Sequence, residues 1–247
     1  ATGAPIRTGE AARIFLVSSF VGGFLPAGVG GDAARAWSLA RHTDRRSEAV
    51  ASVAMDRVLG VVALAMLGAV GALAWSRFVS PELRSWVMAV AVAALAGSLG
   101  VLWADRIAAL ALRGSWRHGR AGRYAWRLAE AIGQYRRQPG VLGGVLALSL
   151  LVQVLRVLQA WGLGLGLGLT VPFAYYLVFM PIGLLMLLLP ISVSGFGVPQ
   201  GVIVWLLQPQ GVPAASAFAL STLIVLSGIA GNLPGAWLYL RRRRPVD

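Results

Sequence analysis

The chain has 247 residues, 57% of them hydrophobic and only 13% charged, with 22 basic against 9 acidic residues and a formal net charge of +13. Every basic residue is arginine and no cysteine occurs, so disulfides and thiolate metal sites are excluded. The charged share is about half that of a soluble domain, and the arginines cluster between apolar runs, as in membrane loops rather than nucleic-acid binders.

In chain order, the first apolar run is 14–25, IFLVSSFVGGFL. It covers roughly 18 Å, too little for a hydrocarbon layer about 30 Å thick. It ends in Leu25-Pro26 and a turn with Gly28, Gly30 and Gly31. Asp32 follows as a candidate N-cap for a short helix at 33–41, with Arg35 one turn on and on the same face. Ser47 is the expected N-cap of a helix that carries Asp56 and Arg57 directly before the apolar run 58–75. The second full span is 86–104. Residues 105–138 hold eight arginines and two acids, which reads as an amphipathic connector touching anionic lipid. His42 and His118 lie in arginine-rich loops and read as solvated.

The third span, 141–162, carries Gln153, Arg156 and Gln159 at every third position, on one expected stripe. The run GLGLGLGL at 162–169 lacks the context of a nucleotide-binding loop. Residues 173–189 are borderline in length and end at Pro190; the run 202–207 is too short to span. The fourth span, 213–240, opens on Pro213 as its first helical position and ends in RRRR at 241–244. Trp75, Trp86, Trp103, Tyr175, Tyr176, Trp237 and Tyr239 fall near span ends and predict an aromatic belt. The chain begins at Ala1 with no charged leader before its first apolar run, so no signal peptide and a further upstream segment are expected.

Arginine asymmetry orients the chain. The segments 33–46, 105–138 and 241–244 are arginine-rich, whereas 76–85 carries two arginines and 163–172 none. The positive-inside rule places the first group in the cytoplasm. Residues 13–32 then leave and return on the cytoplasmic side, and 172–212 leave and return on the external side. The expected fold is all-α, with about four full spans plus two re-entrant broken-helix hairpins, in a single membrane domain over 1–247. Its parts are the first hairpin and amphipathic helix (13–46), two spans (47–104), the connector (105–139), and a span, second hairpin, last span and basic tail (140–247).

The breaks FLPAGVGGD and LLPISVSGFGVPQG resemble each other: Leu-Pro, then small residues with glycines. Paired Gly/Pro-interrupted segments point to a transporter binding site, because unwound backbone at membrane depth survives only inside protein or along a wet cavity. Gly30, Gly31, Gly195 and Gly197 are therefore expected in unwound, ligand-facing backbone, where bulky replacements would remove lipid movement more than folding. Ionisable residues within spans face partners or water paths. Asp56 is expected to pair with Arg35, at a cost of about 3–5 kcal/mol when broken. Arg57 is expected to face the cavity on a stripe with Gly60, Val61 and Leu64, with Gly60 allowing close helix approach. The partner of Arg156 would be the ligand.

No Ser–His–Asp set, carboxylate pair or metal-ligand spacing occurs, so no catalytic residue, metal or cofactor is expected and the chain reads as a non-enzyme. The sequence points to binding and translocation of an anionic phospholipid or polyprenyl-phosphate-type lipid across the cytoplasmic membrane. The connector and the tail would be cytoplasmic, and nucleic acid is no partner. The alternative is a non-transporting scaffold presenting lipid to a partner synthase or glycosyltransferase. Association as a homo-oligomer or with a lipid-modifying enzyme fits either reading.

The segments FLPAGVGGDAARAWSLARH and EAVASVAMDRVLGVVALA, with LPISVSGFGVPQGVIVWLL and GVPAASAFALSTLI in the second half, resemble the transmembrane region of lysylphosphatidylglycerol synthases, a flippase-like membrane family. The resemblance implies an all-helical membrane domain with a lipid-translocating role. It carries over Pro26, Gly30, Gly31, Asp32 and Arg35, then Ala51, Asp56 and Arg57, then Pro190, Gly195, Gly197 and Gly201. The family's Arg-Glu after the third motif is Pro199-Gln200 here, which removes a charge pair and leaves Gln200 as the polar candidate for the headgroup. The family's additional N-terminal spans, about two, are also absent from this sequence.

Overall fold

A computed structural model describes residues 7–23, 29–41, 46–74, 80–111, 119–186 and 197–241. Among these the chain is all-helical. The helices are α1 (Thr8–Gly23), α2 (Val29–Ala40), α3 (Arg46–Ala74), α4 (Pro81–Leu102), α5 (Ala104–Ala111), α6 (Arg120–Tyr135), α7 (Pro139–Gly166), α8 (Phe173–Met186), α9 (Val198–Leu207), α10 (Ala214–Gly231) and α11 (Leu233–Arg241). A 3-10 turn (Gln208–Gln210) follows α9.

Among the described residues, four stretches are long and apolar enough to cross a membrane: Arg46–Ala74, Pro81–Leu102, Pro139–Gly166 and Ala214–Arg241. They match the four spans expected from hydropathy. The last is not one straight helix. It breaks at Asn232, two residues before Pro234, whose missing N–H and ring are tolerated in a first helical turn but not in an interior. Three other boundaries also differ. Ser47 lies inside α3 rather than capping it, Asp32 lies inside α2, which begins at Val29, and Pro213 is the N-cap of α10 rather than its first helical residue.

α3 is the central element. Half of its apolar window is buried, against 11% in α4 and in α7, because α3 packs on α2, α4, α6, α7 and α8. Between lipid-immersed helices the gain comes from close packing rather than from leaving water, and small residues permit it. A Cβ at Gly71 would lie 2.8 Å from the Leu177 carbonyl carbon of α8, and one at Gly68 would lie 3.4 Å from Pro181 Cβ. The expected close approach at Gly60 is absent: that position faces open space. The α3–α8 contact lies about two to three turns further along, at Gly68 and Gly71.

The short helices pair as antiparallel hairpins. In the first, Gly22 of α1 meets Gly31 of α2, and Phe15 lies under the Arg35 guanidinium, 5.7 Å from ring centre to Cζ. In the second, Tyr175 of α8 donates to the Leu206 carbonyl of α9 at 2.5 Å, and Gly183 faces Ile203. At 1.5 Å per residue, none of these four helices exceeds roughly 24 Å, so each hairpin returns the chain without crossing a full bilayer. Tyr175 and Tyr176 are fully buried with Phe179 in the main core, so they are not part of an aromatic belt. Trp86 and Trp237 are exposed, whereas Tyr239 packs on Phe20. Trp75, His42, His118, Pro26 and Pro190 lie outside the described residues.

Candidate functional site

The first hairpin brings charges to α3. Asp32 and Arg35, three apart, share one face of α2. Because α2 runs antiparallel to α3, this face meets the adjacent Asp56 and Arg57 with the charges crossed. Arg35 Nη2 donates to Asp56 Oδ2 at 2.6 Å, and Arg57 Nε donates to Asp32 Oδ2 at 2.7 Å, with a second Arg57 nitrogen on the same oxygen. The result is two reciprocal ion pairs. The Arg35 side chain is 15% exposed and its Asp56 partner 49%; the Arg57–Asp32 pair is about one-third open on both sides. Arg35 is therefore the inner member, held between the Phe15 face and Asp56, where the ring quadrupole adds to the carboxylate. Asp32 also sits in the first turn of α2, the positive end of the helix.

The Arg35–Asp56 pair is the one expected from the depth of the hairpin. The Arg57–Asp32 pair was missed, because Asp32 reads equally well as an N-cap and Arg57 was aimed at a cavity. Arg57 instead places its Nε and Nη2 on Asp32. The pairs stand where α3 enters its purely apolar stretch. Val101 and Leu102, the end of α4, pack at the same level, against the core of Met55 and Leu59.

Arg156 lies deeper. Leu142, Val145 and Leu146 of α7 are level with Met55 and Leu59, so Arg156, ten residues past Leu146, stands roughly 15 Å further in. It has no carboxylate partner among the described residues. Its side chain is exposed at the surface of the bundle, and Arg57 is within electrostatic range. One turn earlier, Gln153 is buried and its Oε1 accepts no hydrogen bond. Gln159 is exposed, so the three residues do not form one face: successive steps of three rotate by about 60° and carry the row from core to surface.

The glycines divide. Gly30 and Gly31 are helical, not unwound. Gly31 lies against Gly22 Cα, 3.2 Å from where its Cβ would stand, and against the Ser18 carbonyl. Its smallness serves the hairpin, so replacement there disrupts folding first. Gly197 does have non-helical backbone, with φ +107° ahead of α9 and open space around it. Gly195 lies outside the described residues. Gln200 is buried: its Oε1 accepts from the Gly197 N–H at 3.3 Å and its Nε2 donates to Thr222 Oγ1 at 3.1 Å. It ties the start of α9 to α10.

The arrangement therefore offers two compensated arginines at the edge of the apolar layer, then one uncompensated guanidinium and one free acceptor within it. Such a row can hold an anion with hydrogen-bond donors nearby. Among known proteins, the family model of the lysylphosphatidylglycerol synthase TM region matches residues 1–232. No curated protein and no solved structure matches the chain.

Proposed function

The chain belongs to the lysylphosphatidylglycerol synthase transmembrane-region family, and we propose from that membership and the charge layout that it binds an anionic phospholipid or lipid-linked phosphate and translocates it, without chemistry of its own. The observation that carries this reading is Arg156. A guanidinium roughly 15 Å inside the apolar stretch is costly without a counter-charge, and no described carboxylate supplies one. A phosphate does so with charge-assisted hydrogen bonds. The Asp32–Arg57 and Arg35–Asp56 pairs then act as the entry. A headgroup phosphate competes with the carboxylates for Arg57 and moves on to Arg156. The neighbouring Gln153 Oε1 accepts from a headgroup donor.

The chain is a membrane protein. We place it in the cytoplasmic membrane, with 105–138 and the tail cytoplasmic, on arginine asymmetry.

The test is translocation of fluorescent anionic and zwitterionic lipids in proteoliposomes, read by quenching of the outer leaflet. The expected outcome is faster movement of the anionic lipid, and Arg156→Ala that folds normally but loses at least about tenfold in apparent affinity, the worth of one charge-assisted contact. Binding without movement would favour the scaffold reading. Equal movement of both lipids in both proteins would remove the role of Arg156.

A further inference from the structure

The connector between α4 and α7 divides into two helices that treat their apolar residues differently. α6 docks its apolar side inward: Ala129, Ala131 and Ile132 are buried, the last two in the core formed with Ala51, Met55 and Leu59 of α3. α5 does the reverse. Trp103, Ile107 and Leu110 stand at i, i+4 and i+7, one stripe of a helix, and are 39%, 52% and 64% exposed. Among the described residues Ile107 and Leu110 join no apolar core, and the Trp103 ring meets only guanidinium groups. They begin one residue after the end of the membrane-length helix α4.

The rest of this region is basic and rigidly set. The Arg106 guanidinium stacks on Trp103 at 4.0 Å and that of Arg136 at 4.4 Å. Arg136 also bonds both Asp105 oxygens, at 3.3 and 3.2 Å, and the last carbonyl of α4, Leu102, at 3.4 Å. Asp105, one of the two acids in the connector, is thereby neutralised, while Arg127 and Arg137 remain exposed. An indole flanked by guanidinium groups at the end of a span suits the headgroup level, where the ring is half in hydrocarbon and the cations reach phosphates.

We propose that α5, with Arg106, Arg127 and Arg137, is a docking surface for the anionic leaflet of the bilayer. The stripe Trp103–Ile107–Leu110 sits at the acyl boundary, and the arginines set how deeply it is held according to the charge of the lipid. This surface is separate from the Arg156 site and does not require translocation.

Because the chain has no cysteine, single introduced cysteines report position without background. The full chain carrying Ile107→Cys, Leu110→Cys or Gln134→Cys, spin-labelled, is placed in nanodiscs of zwitterionic lipid alone or with an added anionic phospholipid. Labels at 107 and 110 should be reached by oxygen and shielded from a water-soluble nickel complex, more so with anionic lipid, while the label at 134 stays water-accessible. Arg127→Gln and Arg137→Gln should each remove part of the anionic-lipid effect, about fivefold per arginine in the buried-to-water ratio at most. Circular dichroism and gel-filtration profiles unchanged from the parent confirm that each variant is folded. Water-accessible labels at 107 and 110 in both lipids would overturn the proposal. So would equal depth in both lipids, and so would shielding from both probes, which would mean that protein covers the stripe.

Discussion

The two hairpins look alike in sequence and differ in what they bring to the bundle. α1–α2 carries Asp32 and Arg35 to α3 and closes through glycine on glycine. α8–α9 carries no charge to its contacts; it supplies Tyr175, Tyr176 and Phe179 to the core and one capping glutamine. A shared Leu-Pro-and-glycine break therefore identifies where the chain turns back, not which turn meets a ligand. Under the proposed function, charge makes that distinction. The first hairpin is latched by ion pairs that an anion can compete for, whereas the second is held by packing that a headgroup cannot replace.

The largest expected effect comes from breaking the first hairpin at its closest point. Gly31→Leu drives a side chain into the Gly22 backbone and the Ser18 carbonyl, a backbone overpacking that should cost about 3 kcal/mol and appear as loss of folded yield by fluorescence size exclusion. Gly197→Leu meets open space, and its cost is the strain of a φ +107°, ψ −118° backbone that favours glycine, about 1–3 kcal/mol, so its yield should fall no more than that of Gly31→Leu. The reverse order would mean that the second hairpin is the more tightly closed.

Next in size is the latch. Asp56 is 49% exposed, so breaking its pair should cost about 1–2 kcal/mol, between exposed and buried ion pairs and below the cost expected of a fully desolvated one. Asp56→Ala should lower the thermal midpoint, and adding Arg35→Ala should recover part of the loss, because it removes the mostly buried cation left behind. Additive losses in the double variant would show no coupling between α2 and α3 at this pair. A milder change is expected in the second hairpin: Gln200→Ala loses the bonds to Gly197 and Thr222 and should cost about 1 kcal/mol, with translocation unchanged once folding is allowed for. The smallest effect lies in the connector. Burial alone would raise the Asp105 carboxyl, but the bonds from Arg136 and the Arg106 backbone outweigh it and hold it below the usual carboxylate value. A depressed folded-state value stabilises above the unfolded value, about 3.9, and that stability disappears as pH falls through the folded one. The deficit of Asp105→Asn in thermal midpoint should therefore be present at neutral pH and vanish in strong acid.

Much of the architecture is readable from the chain because lipid makes apolar length informative. The four spans, the two short returns and the amphipathic connector all follow from hydropathy and arginine placement. Rotation about each helix axis is less readable. α8 is apolar all round, so nothing in its pattern shows that Tyr175 and Tyr176 turn inward, and α3 offers Gly60, Gly68 and Gly71 equally although only the last two meet α8. Arg35 with Asp56 was accessible from hairpin depth. Asp32 with Arg57 was not, since a helix start one turn earlier than expected turns a cap into a pairing residue. Gln153 stood out as polar, but only packing shows that it is buried with a free acceptor while Gln159 faces outward.

Under the proposed function, headgroup charge is met by the first hairpin and α7 rather than by the second hairpin. The most direct measurement is an experimental structure of the full chain in nanodiscs containing an anionic phospholipid with a brominated tail, to identify lipid density. Headgroup phosphate density is expected in hydrogen-bond reach of the Arg156 guanidinium, on the side facing Arg57. Ordered headgroup density confined to the Gly197 turn between α8 and α9, with Arg156 bare, would contradict it.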